Sequence, residues 1–252
     1  MSETKISYLD ATWNPVVGGC SSVSDGCTNC WARALHTTRH KAYLAGKKLP
    51  KQYAQPWSVL QILPERLEQP LHWKKPRRIG VCFGTDLFLD AVSEKFLDLV
   101  VCTAFRAHWH QFFFLTKRPK RMADFVLTAY NLSGPYKNFW LGVTICNQSD
   151  ADKHLRYLQW LAQAGWNTWV SYESALGPVD WRSFGSCVSF LAAGGETGPD
   201  SREASPEWFR AARNQCAAAG VPFHFKAWGS SQNPGGRLLD GRTHDDVPRM
   251  ED

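Results

Sequence analysis

The sequence contains no uninterrupted apolar stretch of the ~18 residues that a membrane-spanning helix requires. Its first residues, Met-Ser-Glu-Thr-Lys, also lack the apolar run of a secretory signal. We therefore expect a cytoplasmic protein that makes no contact with a membrane. Internal repeats and low-complexity tracts are absent as well, which excludes repeat arrays and leaves one globular domain over residues 1–252.

Disulfide bonds are not expected, although the chain has eight cysteines, because a chain without an export signal stays in a reducing compartment. Five of the eight are scattered among apolar neighbours, as is usual for cysteines that act as small buried hydrophobic side chains. These five are Cys82, Cys102, Cys146, Cys187 and Cys216. The other three, Cys20, Cys27 and Cys30, fall within eleven residues and need a separate explanation.

The composition is that of a globular protein with a sizeable core, since hydrophobic residues make up 44% of the 252 residues. Aromatic residues reach 13%, including 12 Trp, and such rings either fill a core or stack on bases and cofactors. The 29 basic residues outnumber the 23 acidic ones, giving a net charge of +6. This charge is compatible with a polyanionic partner, although a solvated surface is the simpler interpretation.

Short apolar runs alternate with amphipathic stretches along the chain, which predicts a parallel sheet built from β/α units. The predicted strands are one within Ile6–Trp13, then Ile79–Phe83, Gln111–Leu115, Phe139–Thr144, Thr168–Ser171, Val188–Ala193 and Pro222–Lys226. The predicted helices are Ser93–His108, Pro119–Tyr130, Asp150–Ala164 and Pro206–Ala219. About seven such strands would close, or nearly close, into a barrel of the triosephosphate-isomerase type. Loops are expected over Ala45–Gln61 and in the tail from Ser230.

Polar and charged residues follow the predicted strands at the point where each strand ends. They include Asp86, Lys117 with Arg118, Glu173, the run Gly194-Gly195-Glu196, and Lys226. Parallel α/β folds build their sites at the carboxyl ends of strands, so these residues are predicted to share one rim of the barrel.

The three clustered cysteines have the spacing C-x6-C-x2-C within a loop over residues 18–32, with glycine directly before the first two. Glycine supplies the positive φ angles that such a loop needs to fold back on itself. Structural zinc requires four ligands, for which His36 and His40 are the nearest additional candidates. A [4Fe–4S] cube held by three thiolates instead keeps one iron open to a small molecule. The count of three therefore favours an iron–sulfur cluster over zinc.

The sequence resembles a phage- and prophage-associated family of radical S-adenosylmethionine (SAM)-like proteins, which is largely a domain of unknown function. The matching stretches run from Thr12-Trp13-Asn14-Pro15 through the three cysteines to Leu239-Asp240-Gly241-Arg242. Between these lie Leu115–Pro119, Leu141–Thr144, Leu176–Asp180, Gly194–Glu196 and Val221–Lys226. The sequence departs from the general radical-SAM motif C-x3-C-x2-C in its first gap of six, and Asn29 stands where that motif has an aromatic residue. Other departures are Trp31 in place of Tyr, Ser174 in place of Pro and Ala227 in place of Gln.

This resemblance implies a β/α barrel, a [4Fe–4S] cluster on Cys20, Cys27 and Cys30, and SAM bound to the open iron. The predicted SAM-binding residues are Asp86, Glu173, Gly194, Gly195 and Glu196, and the predicted substrate-binding residues are Lys117, Arg118 and Lys226. Each has a structural alternative: a helix N-cap for Asp86, a tight turn for the glycines, surface charge for Lys117 and Arg118, and an ion pair with Glu173 or Glu196 for Lys226.

The resemblance also implies an enzyme that cleaves SAM reductively to a 5′-deoxyadenosyl radical. Such an enzyme needs a reductant protein. The phage association, the basic charge and the high aromatic content make a nucleotide or nucleic acid the expected substrate. The rival hypotheses are a non-catalytic nucleic-acid-binding protein stabilised by iron–sulfur or zinc, and a barrel that serves as the partner of another phage protein. If the gene belongs to a phage, the cytoplasm would be that of the host cell.

Overall fold

A computed structural model describes residues 4–130, 132–184, 187–230 and 236–250. Part of the tail from Ser230, residues 231–235 and 251–252, lies outside the described residues. The strands are β1 (Ala11–Trp13), β2 (Val16–Val17), β3 (Gln61–Ile62), β4 (Arg78–Val81), β5 (Gln111–Thr116), β6 (Phe139–Thr144), β7 (Asn167–Tyr172), β8 (Leu191–Gly194) and β9 (Phe223–Ala227). The α-helices are α1 (Trp31–Leu44), α2 (Glu94–Arg106), α3 (Pro119–Ala129), α4 (Gln148–Gln163) and α5 (Pro206–Ala219).

Seven strands form one curled, all-parallel sheet in the order β1-β4-β5-β6-β7-β8-β9, which confirms the predicted seven-stranded, incomplete β/α barrel. The first and last strands of this order are not paired with each other in the described ranges, so the sheet is a half-barrel. All the predicted strands and helices are present, within a few residues of their expected ends. β4 ends early because Cys82 adopts a positive φ of 55°. No helix in the described ranges is both long and apolar enough to cross a bilayer.

The helices start where short polar side chains can accept hydrogen bonds from the first free N–H groups. Ser93 caps α2, Asn147 caps α4 and Ser205 caps α5. The helices pack on one face of the sheet through alternate strand residues, such as Phe112 and Phe114 of β5. This larger core holds the helices against the sheet.

The opposite, concave face of the sheet is filled by aromatic rings. Phe113, Trp169 and Phe190 pack there with Tyr8. Gly142 is required beneath this layer, because a methyl group in its place would collide with the indole of Trp169. Many of the aromatic residues therefore fill the core, which is one of the two roles considered for them.

Several elements between β1 and β4 were not predicted. Helix α1 follows the cysteines directly, so residues 31–32 of the expected loop are its first turn. Its apolar pattern is weak, since Ala32 and His36 are its buried residues. Within Ala45–Gln61, expected to be a loop, residues Lys51–Ala54 form a 3₁₀ helix, and β3 then pairs antiparallel with β2. Each of those two strands has only two residues, which is too short to give a sequence pattern.

Candidate functional site at the cysteine loop

A cavity of about 140 Å³ lies at the carboxyl ends of the parallel strands, beneath the cysteine loop (residues 18–32). This is roughly ten times the volume that one water molecule needs. The predicted site residues that line it are Cys20, Cys27, Cys30, Asp86, Lys117, Arg118, Glu173, Gly195 and Lys226. The structure thus brings nine of the eleven predicted residues to one cavity. Gly194 and Glu196 are not among the residues that line it.

The glycines of the cysteine loop allow it to pass close to neighbouring backbone. Gly18 and Gly19 have positive φ angles of 70° and 68°, as the loop was expected to require. The N–H of Gly19 donates to the carbonyl of Trp57 at 2.7 Å. Gly26 has no positive φ; it is needed because a methyl group there would collide with Sγ of Cys146. The loop is therefore seated against both the chain at Trp57 and the end of β6.

All three clustered cysteines are free thiols that are partly exposed to the cavity. Burial would raise the pKa of Cys27, but the Val23 backbone, the charge of Lys117 and hydrogen bonds from Ser24 together lower it. Burial, with the Asp86 carboxylate nearby, raises the pKa of Cys20 against the opposing effect of Arg118. The two thiols thus sit in different electrostatic surroundings.

Asp86 is paired with Arg118, and this pair holds one side of the cysteine loop. Its carboxylate accepts from Nη1 of Arg118 at 3.0 Å, from the Thr116 hydroxyl at 2.8 and 2.9 Å, and from the Phe88 and Lys117 N–H groups. Nη2 of Arg118 donates to the carbonyl of Ser21 at 3.2 Å and to its hydroxyl at 2.8 Å. Asp86 is not a helix N-cap, because Ser93 caps α2.

Glu196 and Arg202 form a second pair, on the other side of the loop. Glu196 is 2% exposed and accepts two hydrogen bonds from the Arg202 guanidinium, at 2.7 and 3.0 Å. Nη2 of Arg202 donates to the carbonyl of Asp25, and Asn29 of the loop donates to Glu196, both at 3.0 Å. Although burial would raise it, these donors hold the pKa of Glu196 at about 2. The carboxylate thus bonds the loop rather than facing the cavity.

Glu173 is paired with Lys226, which decides between the two carboxylates that were considered for this lysine. The Tyr8 hydroxyl also donates to Oε1 of Glu173, at 3.0 Å. Burial, reinforced by the Glu173 charge, raises the pKa of Tyr8 well above its ordinary value. Glu173 is the lining carboxylate that does not contact the cysteine loop in the described residues.

Lys117 is the lining cation that forms no ion pair or side-chain hydrogen bond within the described residues, whereas Arg118 and Lys226 each face a carboxylate. Its Cε lies next to Gly26, beside the cysteine loop. The cavity wall therefore offers a positive charge to a ligand.

The glycines after β8 are explained by contact with the chain after β9. A methyl group at Gly195 would overlap the carbonyl oxygen of Trp228, and one at Gly194 would lie 3.3 Å from the carbonyl of Ala227. These residues allow the two loops to pack closely. Gly195 is the member of the pair that lines the cavity.

Sequence reasoning missed two further cysteines beside the loop. Cys82 lines the cavity, and Cys146 packs against Gly26. Both are buried, and burial raises the pKa of each to about 12. Their positions one residue after β4 and two residues after β6 were the signal that could have placed them at this rim.

The residues present fit an iron–sulfur cluster in donor chemistry, since three soft thiol ligands line one cavity. Within the described ranges, no three His, Cys, Asp or Glu side chains converge closely enough to hold one metal ion. In a cube each thiolate binds a different iron, so the sulfurs surround the cluster instead of meeting at a point. His36 and His40, the additional zinc candidates, donate to the carbonyls of Gln55 and Tyr53 at 2.9 and 2.8 Å.

Comparison with known proteins gives a family and one solved structure. A structure of spore photoproduct lyase complexed with dinucleoside spore photoproduct matches with a TM-score of 0.44 and 10% sequence identity. The match covers 80% of this chain and 59% of that one, so this chain spans less than two thirds of that protein. No functionally curated protein matches significantly in sequence. The model of a family described as a protein of unknown function (DUF5131) matches residues 3–248, and the chain therefore belongs to that family.

Proposed function

We propose that the protein is a radical SAM enzyme that holds a [4Fe–4S] cluster on Cys20, Cys27 and Cys30. The observation that carries this proposal is that the three free thiols line one cavity at the carboxyl edge of the sheet. Three thiolates would leave one iron of a cube without a protein ligand, and SAM would bind there. Together the two cofactors would supply a 5′-deoxyadenosyl radical that takes hydrogen from a substrate.

The residues of the chain divide into those that hold the loop and those that face a ligand. Arg118 and Arg202 hold the loop from two sides through the carbonyls of Ser21 and Asp25. Most acceptor capacity of their partners, Asp86 and Glu196, is already used. Their proposed contribution to SAM binding is therefore indirect, through the shape of the loop.

Glu173, Lys226 and Lys117 are the charged groups proposed to contact the ligands. Glu173 would accept hydrogen bonds from the ribose hydroxyls or the amino group of SAM. Lys117 would bind an anionic group, either the carboxylate of SAM or a phosphate of a nucleotide substrate. Gly195 lines the cavity with its backbone, because the position of a Cβ atom there faces the carbonyl of Trp228.

A second candidate function is a non-catalytic protein in which the metal only stabilises the loop. The observation that favours it is the full use of Asp86 and Glu196 in pairs that bind the loop. In that case the cysteines would bind a cluster or zinc for stability alone. The two candidates differ in whether SAM reaches the metal.

Anaerobic reconstitution, followed by metal analysis and reduction, tests the proposal. We expect about four irons per chain, a change in the electron paramagnetic spectrum on adding SAM, and formation of 5′-deoxyadenosine. Replacing Cys20, Cys27 or Cys30 by Ala should abolish the cluster, whereas the matched variants Cys102→Ala and Cys187→Ala should retain it. Iron with no response to SAM would favour the second candidate, and stoichiometric zinc without iron would overturn the cluster assignment.

A further inference from the structure

The positive charge of the chain is concentrated in one segment. Residues 26–64 contain six of the 29 Lys and Arg residues and none of the 23 Asp and Glu residues. The remainder of the chain carries 23 of each sign, so this acid-free segment accounts for the whole net charge of +6. Its basic residues are Arg33, Arg39, Lys41, Lys47, Lys48 and Lys51.

The acid-free segment presents this charge to solvent. All six basic side chains are exposed, and none forms an ion pair with a carboxylate in the described ranges. The segment is also folded as a unit, because His36 and His40 of α1 bind the carbonyls of Gln55 and Tyr53. The positive surface is therefore carried on an ordered element.

Large apolar side chains are exposed on the same segment, which joins the cavity directly. Those exposed are Trp31, Leu35, Leu44, Val59 and Ile62. Trp31 is 46% exposed and lines the cavity, as does Trp57. A ligand lying along the segment can therefore place one part of itself in the cavity, against Trp31.

We propose that the acid-free segment binds a single-stranded nucleic acid and that Trp31 stacks on a base at the mouth of the cavity. This inference rests on the proposed function, because it names the substrate class of the same site. Single-strand binding combines cations that track the phosphates with aromatic rings that stack on bases. Both occur here.

Two other polyanionic partners fit the composition less well. Lysine is depleted in protein–protein interfaces, and four of the six basic residues are lysines, which disfavours an acidic protein. An anionic membrane surface requires a helix with a broad apolar face. On α1 the exposed Trp31 and Leu35 lie one turn apart on the same face, but Thr38 and Arg39 continue that face, so the apolar patch covers a single turn.

Fluorescence anisotropy with a labelled single-stranded oligonucleotide of mixed sequence tests this proposal, on both as-purified and reconstituted protein. A variant with Lys41, Lys47, Lys48 and Lys51 replaced by Ala should bind at least ~10-fold more weakly, and its slope of log affinity against log salt should fall by up to ~3. The matched variant replaces Lys74, Lys95, Lys137 and Lys153, which are also exposed and carry the same charge. It should keep the wild-type affinity.

Substitutions of Trp31 test the proposed stacking on a base separately from the charge. Trp31→Leu should weaken binding ~5-fold or more, whereas Trp31→Phe should retain most of the affinity, because a ring can still stack. Equal losses in the two four-lysine variants would overturn the proposal. Polyglutamate competing as well as the oligonucleotide, or equal binding to phosphatidylglycerol vesicles, would replace it with an acidic protein or a membrane. Binding needs neither reduction nor SAM, so its failure is distinguishable from failure of the radical mechanism.

Discussion

Asn29, in the middle of the C-x2-C pair, donates its side-chain amide to Oε2 of Glu196 at 3.0 Å. The same amide donates to the carbonyl of Asp200 at 2.7 Å. The position that holds an aromatic residue in the general motif is thus used here to bond the cysteine loop to the rim after β8. This bond and the Glu196–Arg202 pair make the shape of the loop depend on one buried carboxylate.

Glu196→Gln should therefore destabilise the protein, and the loss should depend on pH. The folded-state pKa of Glu196 is about 2, below its ordinary value of 4.5, so the charge stabilises the fold above pH 4.5 and loses this effect as the pH falls toward 2. The shift corresponds to roughly 3 kcal/mol. Urea unfolding should show the wild type more stable at pH 6, with the gap to the non-titrating variant reduced by about half at pH 3 and closing toward pH 2. A gap independent of pH would show that the charge is not the cause.

Arg118→Lys should loosen the cysteine loop on its other side. The single nitrogen of a lysine cannot stand both where Nη1 of Arg118 bonds Asp86 and where Nη2 bonds Ser21, and each charge-assisted hydrogen bond contributes about 1.5–3 kcal/mol. We expect faster cleavage within the loop in limited proteolysis, and faster loss of iron from the reconstituted protein. Arg182→Lys, in the exposed pair with Asp180, is the control and should change neither rate.

Gly26→Ala should displace the loop, and a second substitution should relieve the effect. The new methyl group would collide with Sγ of Cys146, which Cys146→Ala removes. In a double-mutant cycle measured by thermal unfolding, the double variant should be more stable than Gly26→Ala alone. Simple additivity of the two losses would mean that the thiol is not the obstacle.

Lys226→Met should cost more stability than removing both members of its ion pair. The single variant leaves Glu173, a largely buried carboxylate, with Tyr8 as its main donor, whereas Lys226→Met with Glu173→Gln leaves no uncompensated charge. We expect the single variant to lose about 1–3 kcal/mol of unfolding free energy and the double variant less. Equal losses would show that the pair contributes no charge compensation.

The sheet and the site rim could be predicted from the sequence because both follow from regular patterns. Apolar runs of strand length, separated by amphipathic helices, specify a parallel sheet, and parallel strands present their carboxyl ends at one edge. Asp86, Glu173 and Lys226 were placed at the rim for that reason. Helix α1 was missed because its buried residues are Ala32 and His36, which give almost no apolar period.

The partners of the rim residues could not be predicted in the same way. Asp86 and Glu173 both follow strands, yet one bonds Arg118 and the loop while the other faces Lys226 and Tyr8. Which cation a carboxylate meets depends on side-chain direction and on loops distant in sequence. Arg202, in the stretch after Glu196, gave no pattern that marked it as the partner of that residue.

The aromatic layer on the concave face closes the half-barrel below the cavity. Phe83 lines the cavity and stacks on Trp169 beneath it, with 6.1 Å between ring centroids. These rings therefore block passage along the barrel axis below the cavity. For the enzyme proposed above, substrate could not pass through the barrel, so product would have to leave from the same side of the aromatic layer on which the next substrate binds.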